Sequence, residues 1–150
     1  MADEPMGYVV LVLHTHLPWV LGHGRWPHVE AWLLESAVEC YVPLLRMIDR
    51  LMENHVQGSL TVGLTPVLCE ALASPGFPQG FLSYLEERRG RAERDRQDFR
   101  ARGDSAGEHL AAGWAAVYRQ TQVEFEGRYK SDLLDGFRRL QESGTIEIIS

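Results

Sequence analysis

A chain of 150 residues with 45% hydrophobic and 24% charged residues has the make-up of an ordinary globular domain, which excludes collagen-like, coiled-coil and intrinsically disordered proteins. Fifteen Lys and Arg against 21 Asp and Glu leave a formal charge of −6, so no global field draws the chain to nucleic acid or an anionic membrane, and neither is expected as a partner. The two cysteines, Cys40 and Cys69, have no CxxC partner, which excludes a disulfide scaffold and a cysteine zinc site and leads us to expect a reducing, cytoplasmic setting.

Met1–Met6 lacks the basic start and apolar stretch of a secretion signal, and no apolar run reaches the roughly 18 residues of a membrane span. Gly7–Leu13 (GYVVLVL) is nearly all apolar and rich in Val, the pattern of a strand buried on both faces in a parallel sheet. From Val29 to about Glu53, Leu33, Ala37, Leu44, Ile48 and Leu51 recur at three- and four-residue steps. This spacing predicts a long amphipathic helix, kinked where Pro43 removes a backbone donor. Ser59–Leu64 (SLTVGL) reads as a second strand, and Thr65-Pro66 opens a short helix through Ala73 with proline at a favoured first position. Ser74–Gly80 (SPGFPQG) has the composition of a loop. Phe81–Arg102 then reads as a solvated helix whose interleaved acids and arginines pair locally. After Gly103–Gly107, helical patterns cover Glu108–Glu126 and Tyr129–Glu142, Ser143-Gly144 supplies a stop, and Thr145–Ile149 (TIEII) is a third, β-branched strand. Strands alternating with helices predict an α/β fold with parallel strands. A parallel sheet ending on an uncovered third strand leads us to expect the opening part of a larger domain.

The first strand runs into His14-Thr15-His16-Leu17-Pro18-Trp19. Residues two apart share a strand face, so His14 and His16 can reach one site. They fall at a strand's carboxyl end, where parallel α/β folds bind ligands. Buried core histidines would each need a hydrogen-bond partner, which makes the pair poor core filler. Three of the four tryptophans, Trp19, Trp26 and Trp32, follow closely, and their flat rings suit sugar faces. Trp32 falls on the apolar helix face and reads as core, Trp19 stands evenly between core and ligand contact, and Trp26, in the loop GHGRWPH, reads as a ligand contact. His23, His28, His55 and His109 read as surface or structural histidines. Two chemistries use such a pair: metal-dependent hydrolysis, with further ligands from later strands, and carbohydrate chemistry, with imidazoles on sugar hydroxyls. The spacing does not choose, whereas the tryptophans and the Thr65-Pro66 turn favour sugar. A non-catalytic glucan-binding module using the Trp19 and Trp26 region is a third reading.

The segments GYVVLVLHTHLPWV, HGRWPHVEAWLLESAVECYVPLL, GLTPVLCEAL and GTIEIIS, in this order, resemble glycoside hydrolase family 57, and within it the 1,4-α-glucan branching enzymes. The likeness is specific from Gly7 to about Tyr84, thins through the charged helices and returns at the third strand. It implies that residues 1–150 are the N-terminal portion of a (β/α)7 barrel, ending on its third strand. It also implies a retaining mechanism on an α-glucan such as glycogen or amylose. In that mechanism a glutamate forms a glycosyl-enzyme, an acid roughly 5–5.5 Å from it protonates the leaving oxygen, and a glucan 6-hydroxyl captures the intermediate. The same family includes α-amylases and 4-α-glucanotransferases. The resemblance implies no metal or other cofactor. It makes His14, His16, Trp26, Trp19, Thr65 and Pro66 substrate-binding, and it puts the catalytic glutamate and aspartate beyond Ser150. Glu30, Glu35 and Glu70 match neither carboxylate and are expected to serve helix starts, local hydrogen bonds or pocket support.

Overall fold

The computed structural model describes residues 6–22, 30–56 and 60–150. Three parallel strands, β1 (Val12–Thr15), β2 (Leu60–Leu64) and β3 (Ile146–Ile149), form a sheet in the order β1-β2-β3. This bears out the parallel α/β expectation. The second and third strands lie where their β-branched runs put them, but the first is displaced. Its ladder begins only at Val12, opposite Thr61, and Tyr8, Val9, Val10 and Leu11 are exposed rather than buried on both faces. Its partner β2 is described from Leu60 on.

Register assigns every strand residue to a face. Val12 pairs with Thr61 and Thr61 with Glu147; His14 pairs with Gly63 and Gly63 with Ile149. Laterally paired residues in a parallel sheet point the same way, and successive residues alternate. Leu13, Val62, Leu64, Ile146 and Ile148 therefore share one face, and three of these, Val62, Leu64 and Ile146, are buried in the hydrophobic core. Val12, His14, Glu147 and Ile149 share the other face and are exposed.

The long first helix is built in three pieces: α1 (Glu30–Ser36), a π-helical turn (Ala37–Tyr41) and α2 (Val42–Glu53). Pro43 sits in the first turn of α2. Its missing N–H and its ring's crowding of the preceding turn are met by the wider π turn just before it, so the expected kink takes this form. That extra residue also shifts helical phase. Leu33 and Leu34 are buried in α1, while Trp32, expected in the core, is 42% exposed.

Helix α3 (Pro66–Leu72) follows β2 directly. Helix α4 (Phe77–Ala101) begins inside the stretch expected to be loop, because Pro78 fits a first helical turn and Phe77 is buried as an anchor. Phe77, Phe81 and Phe125 form one aromatic cluster, with Phe81 edge-on to Phe125 at 4.9 Å. The charged face of α4 is laced with local pairs as its sequence suggests, including Arg91 to Glu87 at 2.6 Å and Arg96 to Glu93 at 3.0 Å. Helix α5 (Ser105–Val123) is capped by Asp104, which accepts from the Gly107 N–H at 2.9 Å, and packs back along α4. A second π turn, Glu124–Arg128, leads to α6 (Leu133–Glu142), capped by Asp132. Gly144, at φ +72°, turns the chain into β3.

The helix layer is pinned by one buried carboxylate. Asp49 on α2 is 4% exposed and accepts from Arg139 Nη2 at 2.9 Å and from the Tyr129 hydroxyl at 3.3 Å, with Arg128 at 3.1 Å. Burial is the first cause that pushes the Tyr129 phenol above its ordinary range, and the Asp49 charge adds to it. Burial likewise pushes Tyr41 up to about 12.

Candidate substrate site at the open sheet face

His14 lies inside β1, and His16 follows its end on the same alternation. Both imidazoles are exposed, with ring centroids 5.2 Å apart and planes inclined by 46°. The structure thus brings together the pair that its spacing suggested. Two tilted rings this close present ring nitrogens to one ligand from two directions, and neutral imidazole can donate through one nitrogen and accept through the other. Between them Thr15 points to the opposite face, where its hydroxyl donates to the Gly63 carbonyl at 2.6 Å.

Thr65 keeps the extended backbone of β2 (φ −69°, ψ 146°) and so continues the alternation onto the His14 face. Its hydroxyl also caps α3 by accepting from Leu68 N–H at 3.4 Å. Pro66 is exposed beside it. Trp19 is 52% exposed, and Val20 next to it is buried, anchoring the segment that leaves β1. Trp26, with His23 and His28, lies outside the described residues. His55 and His109 are exposed on the helix layer, as expected. Glu30 serves the start of α1 and accepts from Gly22 N–H at 3.4 Å, while Glu35 and Glu70 are exposed on helices.

A carboxylate not singled out from the sequence shares the open face. Glu147, the polar residue in TIEII, stands laterally in line with Thr61 and Val12, one layer below His14. Thr61 Oγ1 donates to its Oε2 at 3.1 Å. The signal was a charge at an alternate position of an apolar strand, but only register shows which face it takes. Among the described residues, no group of three or more His, Cys, Asp or Glu is gathered as metal ligands would be. No described helix is long and apolar enough to cross a membrane.

Comparison with known proteins bears on the family and the fold. The family model of glycosyl hydrolase family 57 matches residues 10–150. A 1,4-α-glucan branching enzyme of Thermococcus kodakarensis is 31% identical over 144 residues, 96% of this chain and 20% of that protein. A probable 1,4-α-glucan branching enzyme of Mycobacterium tuberculosis is 40% identical over 92 residues, 61% of this chain and 18% of that one. Among solved structures, the family 57 branching enzyme of Pyrococcus horikoshii superposes with a TM-score of 0.89 at 34% identity, covering 95% of this chain and 26% of the other. The α-amylase AmyC of Thermotoga maritima gives 0.82 at 27% identity, covering 93% and 26%. The chain thus spans about a fifth to a quarter of the length of these relatives. Three parallel strands with long intervening helices fit a family whose catalytic domain is a (β/α)7 barrel. The chain belongs to glycosyl hydrolase family 57.

Proposed function

We propose that this chain forms the glucan-holding part of a 1,4-α-glucan branching enzyme: the N-terminal portion of its barrel, with the catalytic glutamate and aspartate supplied by later strands. The observation that carries the reading is the pair of exposed imidazoles, 5.2 Å apart, on the uncovered face at the carboxyl end of a parallel sheet. There His14 and His16 hydrogen-bond sugar hydroxyls in the pocket for the non-reducing side. Trp19 and Trp26 stack on sugar rings, and Thr65 and Pro66 line the same pocket. The branching reading is preferred to hydrolysis or 4-α-transfer because the relatives at 31% and 34% identity are branching enzymes, whereas the α-amylase stands at 27%. Glucan transfer by a retaining route needs neither metal nor cofactor. It serves glycogen construction, in a reducing cytoplasm where Cys40 and Cys69 stay thiols.

Titration of the chain with maltoheptaose, followed by NMR of the histidine rings, tests this. The resonances of His14 and His16 should move while those of His55 and His109 stay, and a β-1,4-linked oligosaccharide should move none. Amylose incubated with the chain alone should gain no α-1,6 linkages. Indifference of both rings to maltoheptaose, with stoichiometric uptake of zinc or manganese by the pair, would favour the metal-hydrolase reading instead. New branches made by these 150 residues would overturn the placing of the carboxylates.

A further inference from the structure

Gly63 is the one residue of β2 without a side chain, and it stands between buried Val62 and Leu64. A glycine inside a strand weakens it by about 0.5–1 kcal/mol relative to alanine, so its place here calls for a cause. Backbone conformation is not the cause: Gly22, Gly103 and Gly144 have positive φ, and Gly63 does not. Space is. A Cβ built on Gly63 would lie 3.2 Å from His14 Nδ1, 3.6 Å from the Leu13 carbonyl oxygen and 3.7 Å from His14 Cα.

Register explains the approach. His14 and Gly63 are lateral partners, and neighbouring strands run only ~4.8 Å apart. A side chain in a strand ordinarily stands perpendicular to the sheet. The His14 ring instead comes close over β2, so that a side chain at position 63 would press against its Nδ1 edge and oblige the ring to shift. The backbone beneath it is held from the other face, where Thr15 donates to the Gly63 carbonyl at 2.6 Å. Residues 14 and 15 thus grip the same glycine from opposite sides.

We propose that Gly63 is a positioning residue: its absent side chain is the seat of the His14 imidazole, setting the ring's tilt toward His16 and leaving its far edge for the ligand. This rests on the reading of His14 as a glucan contact, but the seat itself is testable without glucan. In the unsubstituted chain, NMR should give a nuclear Overhauser contact between a Gly63 α-proton and the His14 ring; absence of that contact overturns the proposal. Gly63→Ala should shift the His14 ring resonances, leave those of His55 and His109 in place, and weaken maltoheptaose binding by roughly fivefold to tenfold, the scale of one misplaced hydrogen-bonding group. In a His14→Ala background the same Gly63→Ala change should have no further effect on affinity, since the two act as one unit. An equal loss in both backgrounds, or unmoved His14 resonances in Gly63→Ala, contradicts the seat. If His14→Ala leaves glucan affinity intact while Gly63→Ala still moves the ring, the seat stands and the sugar-contact reading is what fails.

Discussion

The two faces of the sheet share one backbone and divide its labour. On the covered face Val62, Leu64 and Ile146 are buried in the core shared with the helices, whereas on the open face His14, Glu147 and Ile149 are exposed beside the small, buried Gly63. Alternate residues of the same strand therefore answer to different demands. The covered series is chosen for apolar volume, and the open series carries imidazoles, a carboxylate and a glycine whose space is used by a neighbour. His14 and His16 stand at the carboxyl end of a parallel strand, which is where an α/β fold places its ligand.

Neighbouring residues of β3 give the strongest way to break this division. Ile146→Ala should cost about 2–5 kcal/mol of unfolding free energy, the range for truncating a buried aliphatic side chain. Glu147→Ala, one residue on, should change it by less than about 1 kcal/mol, as expected of an exposed hydrogen bond. Chemical denaturation of both variants decides the matter, and similar losses would erase the distinction between the faces.

The covered side should also show itself at alkaline pH. Tyr41, 4% exposed, is pushed by burial from 10.0 up to about 12. The neutral phenol is the form the folded chain prefers, so its contribution is complete below pH 10 and is lost as pH rises toward 12. The full loss should approach about 3 kcal/mol, from ~1.4 kcal/mol for each pKa unit. Tyr41→Phe should lessen the fall, to which Tyr129, raised by burial as well, also contributes; an unchanged pH profile would refute the assignment.

Smaller effects belong to the rim and the solvated helices. Thr65→Ala removes the cap of α3 and should cost about 0.5–1 kcal/mol, toward the low end of cap losses because the bond is long. Arg91→Ala breaks an exposed pair with Glu87 and should change stability by no more than about 0.5 kcal/mol. A larger loss at Arg91 than at Thr65 would mean that the charged face of α4 packs against something rather than facing water.

Much of this division was legible in the residues, and the rest was not for identifiable reasons. The His14/His16 pair was readable because a two-residue spacing has one meaning in a strand. The helices were readable because their apolar period is long. The start of β1 was not, since Tyr8–Leu11 carries every local mark of a strand and the ladder that defines a strand is made with another segment. Trp32 was misplaced because the π turn at Ala37–Tyr41 alters helical phase, and a proline announces a break without saying how the chain absorbs it. Glu147 and Gly63 were hidden for a common cause: their meaning lies in lateral pairing across strands, which no single segment contains.

The proposed glucan site requires that His14 and His16 hold the ligand while contributing little to folding. The most direct measurement is maltoheptaose affinity by calorimetric titration of the double variant His14→Ala/His16→Ala, alongside its unfolding midpoint. An affinity loss of at least roughly tenfold is expected, from removing two hydrogen-bonding side chains, with the midpoint essentially unmoved. Undiminished affinity in a folded double variant would contradict it.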